Sequence, residues 1–482
     1  KKYDESLGEI YSTYQEIGHL HVRVDDQRET VNDSLINIIY DITEGLPSHV
    51  NLVRIVGNTK TKDRVIRREL KLLPGQVFNR SLLVRSVRDV MALNYFANAV
   101  PDIIPQPNGD VDIELKVEEK QTGQISAGAG YNSQDKLVGS LGMGIPNFRG
   151  MGQNLSFNVD FGSRRNSFSA SFTEPWLFGR PTLFGFDAFF TNRRWFTDYT
   201  EGRQGGSVRF GRRLTWPDNY TSASTSIRVE RNRFFDFSDA YVQANSFRSL
   251  HRYTYQDTDT LATKTIVVSG EPFPGTPLDY GEKWNDAIRW SLNFTRDSRN
   301  LPEFATKGSI VSYTFENTGG LFGGFWNYRR HRLSAAKFVP LIGKFALAAK
   351  IQWASISSAS NDPNDERVLL SDRFTPGGTA FDGIVRGYDD GSLTPDSVVT
   401  IGDTTYFYSI PPDSSGVPDP LKADSMSLPS SRITTRVRGK YMLVSNVEIQ
   451  FPIAERSIYG LLFFDAGNSW LHFKDINLPR DL

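Results

Sequence analysis

Two regimes of apolar spacing meet near residue 122. From Gly123 onward, apolar and polar positions alternate. In 154–162 (NLSFNVDFG), Leu155, Phe157, Val159 and Phe161 share one face, and Asn154, Ser156, Asn158 and Asp160 share the other. The run 167–173 repeats the pattern, with Phe168, Ala170 and Phe172 set against Ser167, Ser169, Ser171 and Thr173. So do 288–295 (Ile288, Trp290, Leu292, Phe294) and 345–353 (Phe345, Leu347, Ala349, Ile351, Trp353). A period of two places successive side chains on opposite faces of a strand. About fourteen such strands fit between Gly123 and Trp470. A soluble sandwich would need a second sheet over the apolar face, whereas a Ser-, Asn- and Thr-rich opposite face suits a wet lumen. Tight connections at 163–165 and 341–344 contrast with long ones at about 237–282 and 362–435. That asymmetry predicts a barrel with short turns at one end and long loops at the other.

Before residue 122 the spacing is helical and mixed. Segment 3–18 places Leu7, Ile10 and Tyr14 on one helical stripe, and strands are predicted at 20–24 and 35–43. A complete unit follows over 46–121. It has a strand at 52–58 (LVRIVGN), a helix from Lys62 to about Leu70, a break at Pro74-Gly75, a helix over about Ser81–Leu93, and strands near 98–104 and 110–119. Thr61 and Asn79 are the expected helix N-caps. The order β-α-α-β-β predicts a small sheet with both helices on one face. Residues 1–45 read as the back half of the same unit. The fold class expected is therefore mainly β: a transmembrane antiparallel barrel over 122–482, preceded by small α+β modules.

Composition narrows the chemistry. No run approaches the ~18–20 apolar residues of a membrane helix, and the mean hydropathy is −0.39, as alternating barrel strands allow. The 33 Phe and 19 Tyr suit strands and interfacial girdles, and the 40 Gly suit a curved sheet. There is no Cys, which removes thiol chemistry, and 55 basic residues balance 55 acidic ones, so nothing global points to nucleic acid. His19, His21, His49, His251, His331 and His472 are scattered without HExxH spacing, and no GxSxG elbow or P-loop occurs. GSLGMG at 139–144 has no helix after it. No catalytic residue, metal or cofactor is expected. A lipid hydrolase whose Ser and His meet only in space is the rival of another class. No secretory signal precedes Lys1, so the chain is read as mature, cut, or starting internally. It ends in a polar stretch, DINLPRDL. An unclosed wall is intolerable in lipid, so about two more strands, or another chain, are expected to complete it.

Specific motifs then tie these elements together. FTPGGTAFDGIVRGY at 374–388 resembles the sixth external loop of the BamA family, POTRA modules joined to a 16-stranded outer-membrane barrel. Gly377-Gly378 matches the loop turn, and Val385-Arg386-Gly387-Tyr388 matches its tip. LVRIVGNTKTKDRVIRREL (52–70) resembles the start of a POTRA module, TRDSRNLPEFATKGS (295–309) a strand connection, and FFDAGNSW (463–470) a late strand. The resemblance implies that Arg386 folds into the lumen and pairs with Glu448 and Asp465. Alternation places Glu448 opposite Val447, Ile449 and Phe451, and so on the lumen face; Asp465 shares its parity with Phe463 and stays open.

The resemblance also implies a factor that folds and inserts β-barrel proteins by strand pairing at a lateral gate, without ATP. It would sit in the outer membrane of a Gram-negative bacterium, with the POTRA modules in the periplasm. Implied partners are unfolded outer-membrane barrels, accessory lipoproteins and outer-membrane lipid. The gate would be the first strand, Gly123, Gln124, Ile125, Ser126, Ala127, Gly128, Ala129, Gly130 and Tyr131, whose glycines and small side chains bury little. The plain alternative is a curved strand whose glycines relieve closure strain. Arg64, Arg67, Arg68 and Glu69 read as a solvated helical face. Segment 393–432, rich in Pro, Ser and Asp, reads as an external insertion. Two rivals share the fold: an exporter of one dedicated passenger protein, and a porin, which needs no α+β module.

Overall fold

The computed structural model describes residues 2–477, apart from 33–34, 133–135, 196–197, 258–259, 274, 302–303, 361–366, 380–381, 402–403, 410–423, 428–430 and 455–457. Packing divides the chain into two units, Lys1–Ile125 with Met143–Ser156, and Ser126–Gly142 with Phe157–Leu482.

In the first unit, helix α1 (Lys2–Glu16) precedes an antiparallel hairpin of β1 (Arg23–Asn32) and β2 (Leu35–Thr43). The strand expected at 20–24 begins later, because Gly18, at φ +96°, and the bond from His19 N to Tyr14 O (3.0 Å) close the helix there. Then come β3 (Val50–Val56), α2 (Asp63–Arg67), α3 (Arg80–Ala92), β4 (Phe96–Pro105) and β5 (Val111–Glu119). Strand β5 lies between the other two, parallel to β3 and antiparallel to β4. Its alternate residues Val111, Ile113, Leu115 and Val117 are buried against Val65 and Ile66 of α2 and Leu83 and Val90 of α3. Asn79 caps α3, accepting from Leu82 N at 2.8 Å.

Helix α2 is shorter than its apolar spacing predicts. Bonds of the i→i−3 type from Glu69 N and Leu70 N tighten its end, and Lys71 N turns to Ser86 Oγ (2.7 Å). Thr61 is not its cap: Lys62 holds that position without a side-chain bond, and Thr61 Oγ1 instead accepts from Asn147 (2.8 Å). The charged face has local partners, Arg67 with Asp63 (2.8 Å) and Arg68 with Glu69 (3.5 Å).

The second unit is dominated by a 13-stranded sheet in chain order. Its strands are β6 (Gln124–Asn132), β7 (Lys136–Phe148), β8 (Gln153–Gly162), β9 (Arg165–Glu174), β10 (Thr182–Trp195), β11 (Tyr199–Arg213) and β12 (Thr221–Phe235). After α4 (Asp239–Ala244), β13 (Ser246–Asp257) and β14 (Thr260–Pro272), the wall resumes with β15 (Asn285–Asp297), β16 (Gly308–Thr318), β17 (Tyr328–Pro340) and β18 (Ala346–Ser358). Four strands, β19 (Asp396–Ile401), β20 (Thr404–Ser409), β21 (Asp424–Ser427) and β22 (Ser431–Arg436), precede the last two of the wall, β23 (Tyr441–Ala454) and β24 (Ile458–Trp470). The two long connections thus carry strands of their own: β13 and β14 share a sheet with β20 and β21, and β19 pairs with β22. Part of the 393–432 insertion and the end of DINLPRDL lie outside the described residues.

Cross-strand register assembles the two faces. Phe186, Val208, Ile227 and Trp290 stand opposite one another on four strands, and Leu333, Trp353 and Leu443 on three more. This face is open: Ile227 is 48% exposed and Phe464 66%. Asp187, Ser207, Arg228 and Arg289 form a row on the other face. That face is concave. The Asp372 carboxylate lies within 4.0 Å of arginines on β11, β15 and β17, and the first and last of these would be ~19 Å apart on a flat sheet.

Because successive hairpins turn at opposite ends, the 163–164 turn shares an end with the long connections after β12 and β18, not with 341–345 as its length suggests. The connections at the other end, such as 149–152, 214–220 and 298–307, are all short.

Glu119 yields a prediction for the first unit. Burial opposes its ionisation, but hydrogen bonds from Thr61, Lys60 and Thr59 outweigh that and hold the carboxyl at about 2 instead of 4.5. Its folded value lies below its unfolded one, so the stabilisation is complete above about 4.5 and is lost as pH falls toward about 2. Glu119→Gln should cost about 1–2 kcal/mol at neutral pH, allowing for its partial exposure. Denaturant unfolding should show that cost shrinking at acid pH, and a constant difference would refute the assignment.

Candidate functional site

The connection after β18 folds back against the concave face. Val368, Leu369, Phe374 and Val385 are buried among Phe234, Ala287, Trp326, Tyr328, Ile356, Met442 and Val444 of the wall and its turns. The Gly-Gly turn makes the return possible. Gly378 N donates to Val385 O (2.9 Å) and Val385 N to Gly378 O (3.1 Å). Gly377 and Gly378 have φ of +129° and +57°, and a Cβ on Gly378 would lie 2.3 Å from Asp390 Oδ1. Only glycine fits this crossing.

At the tip, Arg386 meets both acidic residues singled out in the sequence. Its Nε donates to Asp465 Oδ2 (2.7 Å), its Nη2 to Asp465 Oδ1 (2.9 Å) and to Glu448 Oε1 (2.5 Å), and its backbone N to Asp465 Oδ2 (2.9 Å). This is the bidentate fork that a guanidinium makes with a carboxylate, with a second acid added. Asn446 Nδ2 holds Asp465 Oδ1 (2.9 Å) and Ile384 O (2.8 Å). The parity question at Asp465 resolves through Phe463. Phe463 stands opposite Glu448 on the concave face, and the Arg386 guanidinium lies 3.7 Å above its ring. The aromatic ring is a stacking platform, not part of the apolar exterior. Val385 is buried, whereas Tyr388 is 57% exposed, and Gly387 turns the chain at φ +95°.

A second cluster holds the base of the same connection, and the sequence reading missed it. Buried Asp372 pairs with Arg289 and accepts from Tyr328 Oη. Arg289 and Arg203 both reach Glu230 Oε1, at 3.3 and 2.7 Å. Ser371 Oγ donates to Glu201 Oε1 (2.9 Å), and Trp195 Nε1 to its other oxygen (2.8 Å). Between the two clusters, Asp382 accepts from Arg332 (3.0 Å) and from Thr375 N (3.1 Å). The available signal was parity: Arg289 opposes Ile288 and Trp290, and Glu230 opposes Val229. It was weak, because many charged residues share the polar face.

The first strand is set apart from both clusters. Strand β6 lies at one end of the sheet and β24 at the other. Gly123, Gln124, Ser126, Ala127, Gly128, Ala129 and Gly130 are exposed, with Ile125 82% and Tyr131 70% accessible. A Cβ at Gly123 or Gly130 would meet nothing within 4 Å, and at Gly128 only Ser140 Oγ at 3.2 Å. None of the three has positive φ, so local backbone strain does not explain them. Among the described residues, no three His, Asp or Glu side chains gather as a metal site, and no helix is long and apolar enough to cross a membrane.

The two clusters make separable predictions. Arg386→Ala should leave the barrel folded but make 374–393 more sensitive to protease; unchanged cleavage would refute the pairing. Asp372→Asn removes the carboxylate that pairs with Arg289 and accepts from Tyr328, while Glu230 stays 3.3 Å from Arg289, so the cost should be about 1–3 kcal/mol. Its readout should be lowered thermal stability, with the tip still protected from protease. Equal stability would show that Asp372 does not anchor the base.

Residues 147–477, more than half of the chain, match the Omp85 superfamily domain. Residues 48–120 match the POTRA family, described as a surface antigen variable number repeat. The outer membrane protein assembly factor BamA of Nitratidesulfovibrio vulgaris is 25% identical over 394 residues, covering 81% of this chain and 44% of that protein. The BamA of Neisseria meningitidis is 25% identical over 398 residues, covering 81% of this chain and 46% of that one. The chain thus spans less than half the length of these relatives. The crystal structure of BamA from Haemophilus ducreyi lacking POTRA domains 1–3 superposes with a TM-score of 0.66 at 19% identity, over 98% of this chain and 82% of that one. The fold is accordingly an antiparallel β-barrel wall with a POTRA module before it, and the chain belongs to the Omp85 superfamily.

Proposed function

We propose that this chain acts in an outer-membrane protein assembly factor, folding and inserting β-barrel proteins by pairing their strands at a lateral seam. It would reside in the outer membrane of a Gram-negative bacterium. Residues 1–45 and 46–121 would be partial and complete POTRA modules in the periplasm, and the connections within 237–282 and 362–435 would face outward. One observation carries the reading. The connection after β18 is seated on the concave face through Val368, Leu369, Phe374 and Val385, held at its base by Asp372 and at its tip by Arg386. With the returning connection seated on the concave face, the edge of the wall is where a substrate strand would be handled.

The chemistry of that edge is backbone pairing. An unfolded barrel strand carries N–H and C=O groups that cannot enter lipid unsatisfied. Strand β6 stands first in the wall and carries small side chains that give up little burial, so where its seam opens β-augmentation can satisfy the incoming strand. Val385, Arg386, Gly387 and Tyr388, with Glu448 and Asp465, would hold the late strands in register while the seam works. Gly377 and Gly378 set the loop geometry that brings Arg386 there. No bond is made or broken, which separates this role from a lipid hydrolase. Partners would be unfolded barrel proteins, accessory lipoproteins and the surrounding lipid. Relatives named as assembly factors align over most of the chain, which supports the reading.

Depletion of the protein in its host tests it. Many unrelated outer-membrane barrels should fall in abundance together, measured by quantitative proteomics of the outer membrane. Loss of one secreted protein alone would favour the exporter instead.

A further inference from the structure

The outward face carries two arginines, Arg231 and Arg233, with no ion pair among the described residues. On β12, Arg231 stands opposite Gln204 of β11 and Asp286 of β15, in the same outward row as Phe190. Arg233, two residues further, points the same way. Trp284, one residue before β15, shares that parity and sits between them. The Arg231 and Arg233 guanidinium carbons lie 4.9 and 4.8 Å from its ring centroid, and Arg233 also lies 4.5 Å from Phe235. Stacking on one indole fixes both guanidiniums and leaves Nη1 of Arg231 and the two Nη groups of Arg233 to donate outward. With its amide oxygen turned toward Arg231, Gln204 accepts from Nε and Nη2 at 2.6 Å. Neither arginine has an ion pair among the described residues, whereas Arg194 near the same rim pairs with Asp236.

Their height on the wall matters. Below Arg231 the outward positions of β12 are Val229, Ile227, Thr225 and Ala223, with Val229 56% and Ile227 48% exposed. The row opposite Thr221 holds Arg296, which is neutralised by Asp218 at 2.6 Å. From Arg231 to Thr221 is ten residues, or ~34 Å along a strand and ~26 Å across a bilayer at a 40° tilt. That matches the ~25 Å apolar band of a membrane barrel. Arg231 and Arg233 therefore sit at the headgroup boundary, at the end of the wall that carries the long connections. There they face an environment whose available anions are lipid phosphates.

We propose that Arg231, Trp284 and Arg233 form a docking site for the phosphorylated headgroup of an anionic lipid in that leaflet. Two fixed guanidiniums with three outward Nη groups suit a phosphate monoester, with three acceptor oxygens and close to two charges, better than a diester. Asp286 is the acidic residue in this row and opposes the anion. The inference rests on the outer-membrane reading above.

The full chain reconstituted into phosphatidylcholine nanodiscs tests it, with diphosphoryl lipid A, its dephosphorylated form or phosphatidylglycerol as the doped lipid. Native mass spectrometry counts the retained lipid. Wild type should retain the diphosphoryl lipid selectively, and Arg231→Gln with Arg233→Gln should retain about tenfold less. Asp286→Asn should retain more, and Arg212→Gln at the opposite rim should match wild type. Equal retention by wild type and the double variant, or equal retention of the dephosphorylated lipid, overturns the site. Equal retention of phosphatidylglycerol overturns the monoester assignment. A chain that does not insert into the bilayer overturns the membrane reading as well, whereas insertion without lipid preference overturns this proposal alone.

Discussion

Backbone hydrogen bonding governs this molecule more than any single side chain does. In hydrocarbon an unpaired amide or carbonyl has no water to turn to, so each strand of the wall must be matched residue for residue by its neighbours. The registers meet that demand with few interruptions: β10 to β12, and β15 to β18, pair over ten or so residues each without a shift. Once register is fixed, the side chains have no choice of face, because a slip of one residue would exchange every lipid-facing and lumen-facing position. The apolar exterior, the charged lumen and the basic rim all follow from that ladder.

The lumen shows how charge is used when the surroundings are partly dry. Asp372, Arg289, Glu230 and Arg203 come from a loop and three strands, and each is mostly removed from solvent. Buried ion pairs seldom add net stability over apolar packing, but breaking one is costly, so they select a single arrangement. Here the selected arrangement is a loop folded inward. Apolar contacts of Val368, Leu369 and Phe374 supply attraction without direction, and the ion pairs supply the direction. The tip at Arg386 uses the same principle with less burial, bridging β23 and β24 through Glu448 and Asp465.

The first unit solves a different problem with ordinary soluble chemistry. One face of β5 is covered by two helices, and Glu119 at its end ties down the 59–61 turn through backbone N–H groups. The buried core of this module is drawn from residues 50–117.

Much of this was legible from residue order alone. Alternation in 154–162, 288–295 and 345–353 marked strands and assigned their faces, because a pleat of period two is a local property of the chain. The β-α-α-β-β order, the Asn79 cap and the lumen side of Glu448 were readable for the same reason. The pairing of Arg386 with Glu448 and Asp465 came from family resemblance, since no local rule joins residues so far apart. Other features required the folded chain. Phe463 looked apolar and outward, but Arg386 arrives above it and makes it a platform. The 163–164 turn looked like its short counterpart at 341–345, yet its end of the wall depends on how many hairpins precede it. Asp372 and Arg289 are 83 residues apart and carry no motif. They meet because the sheet is curved, and curvature belongs to the sum of all the strand pairings, not to any one segment.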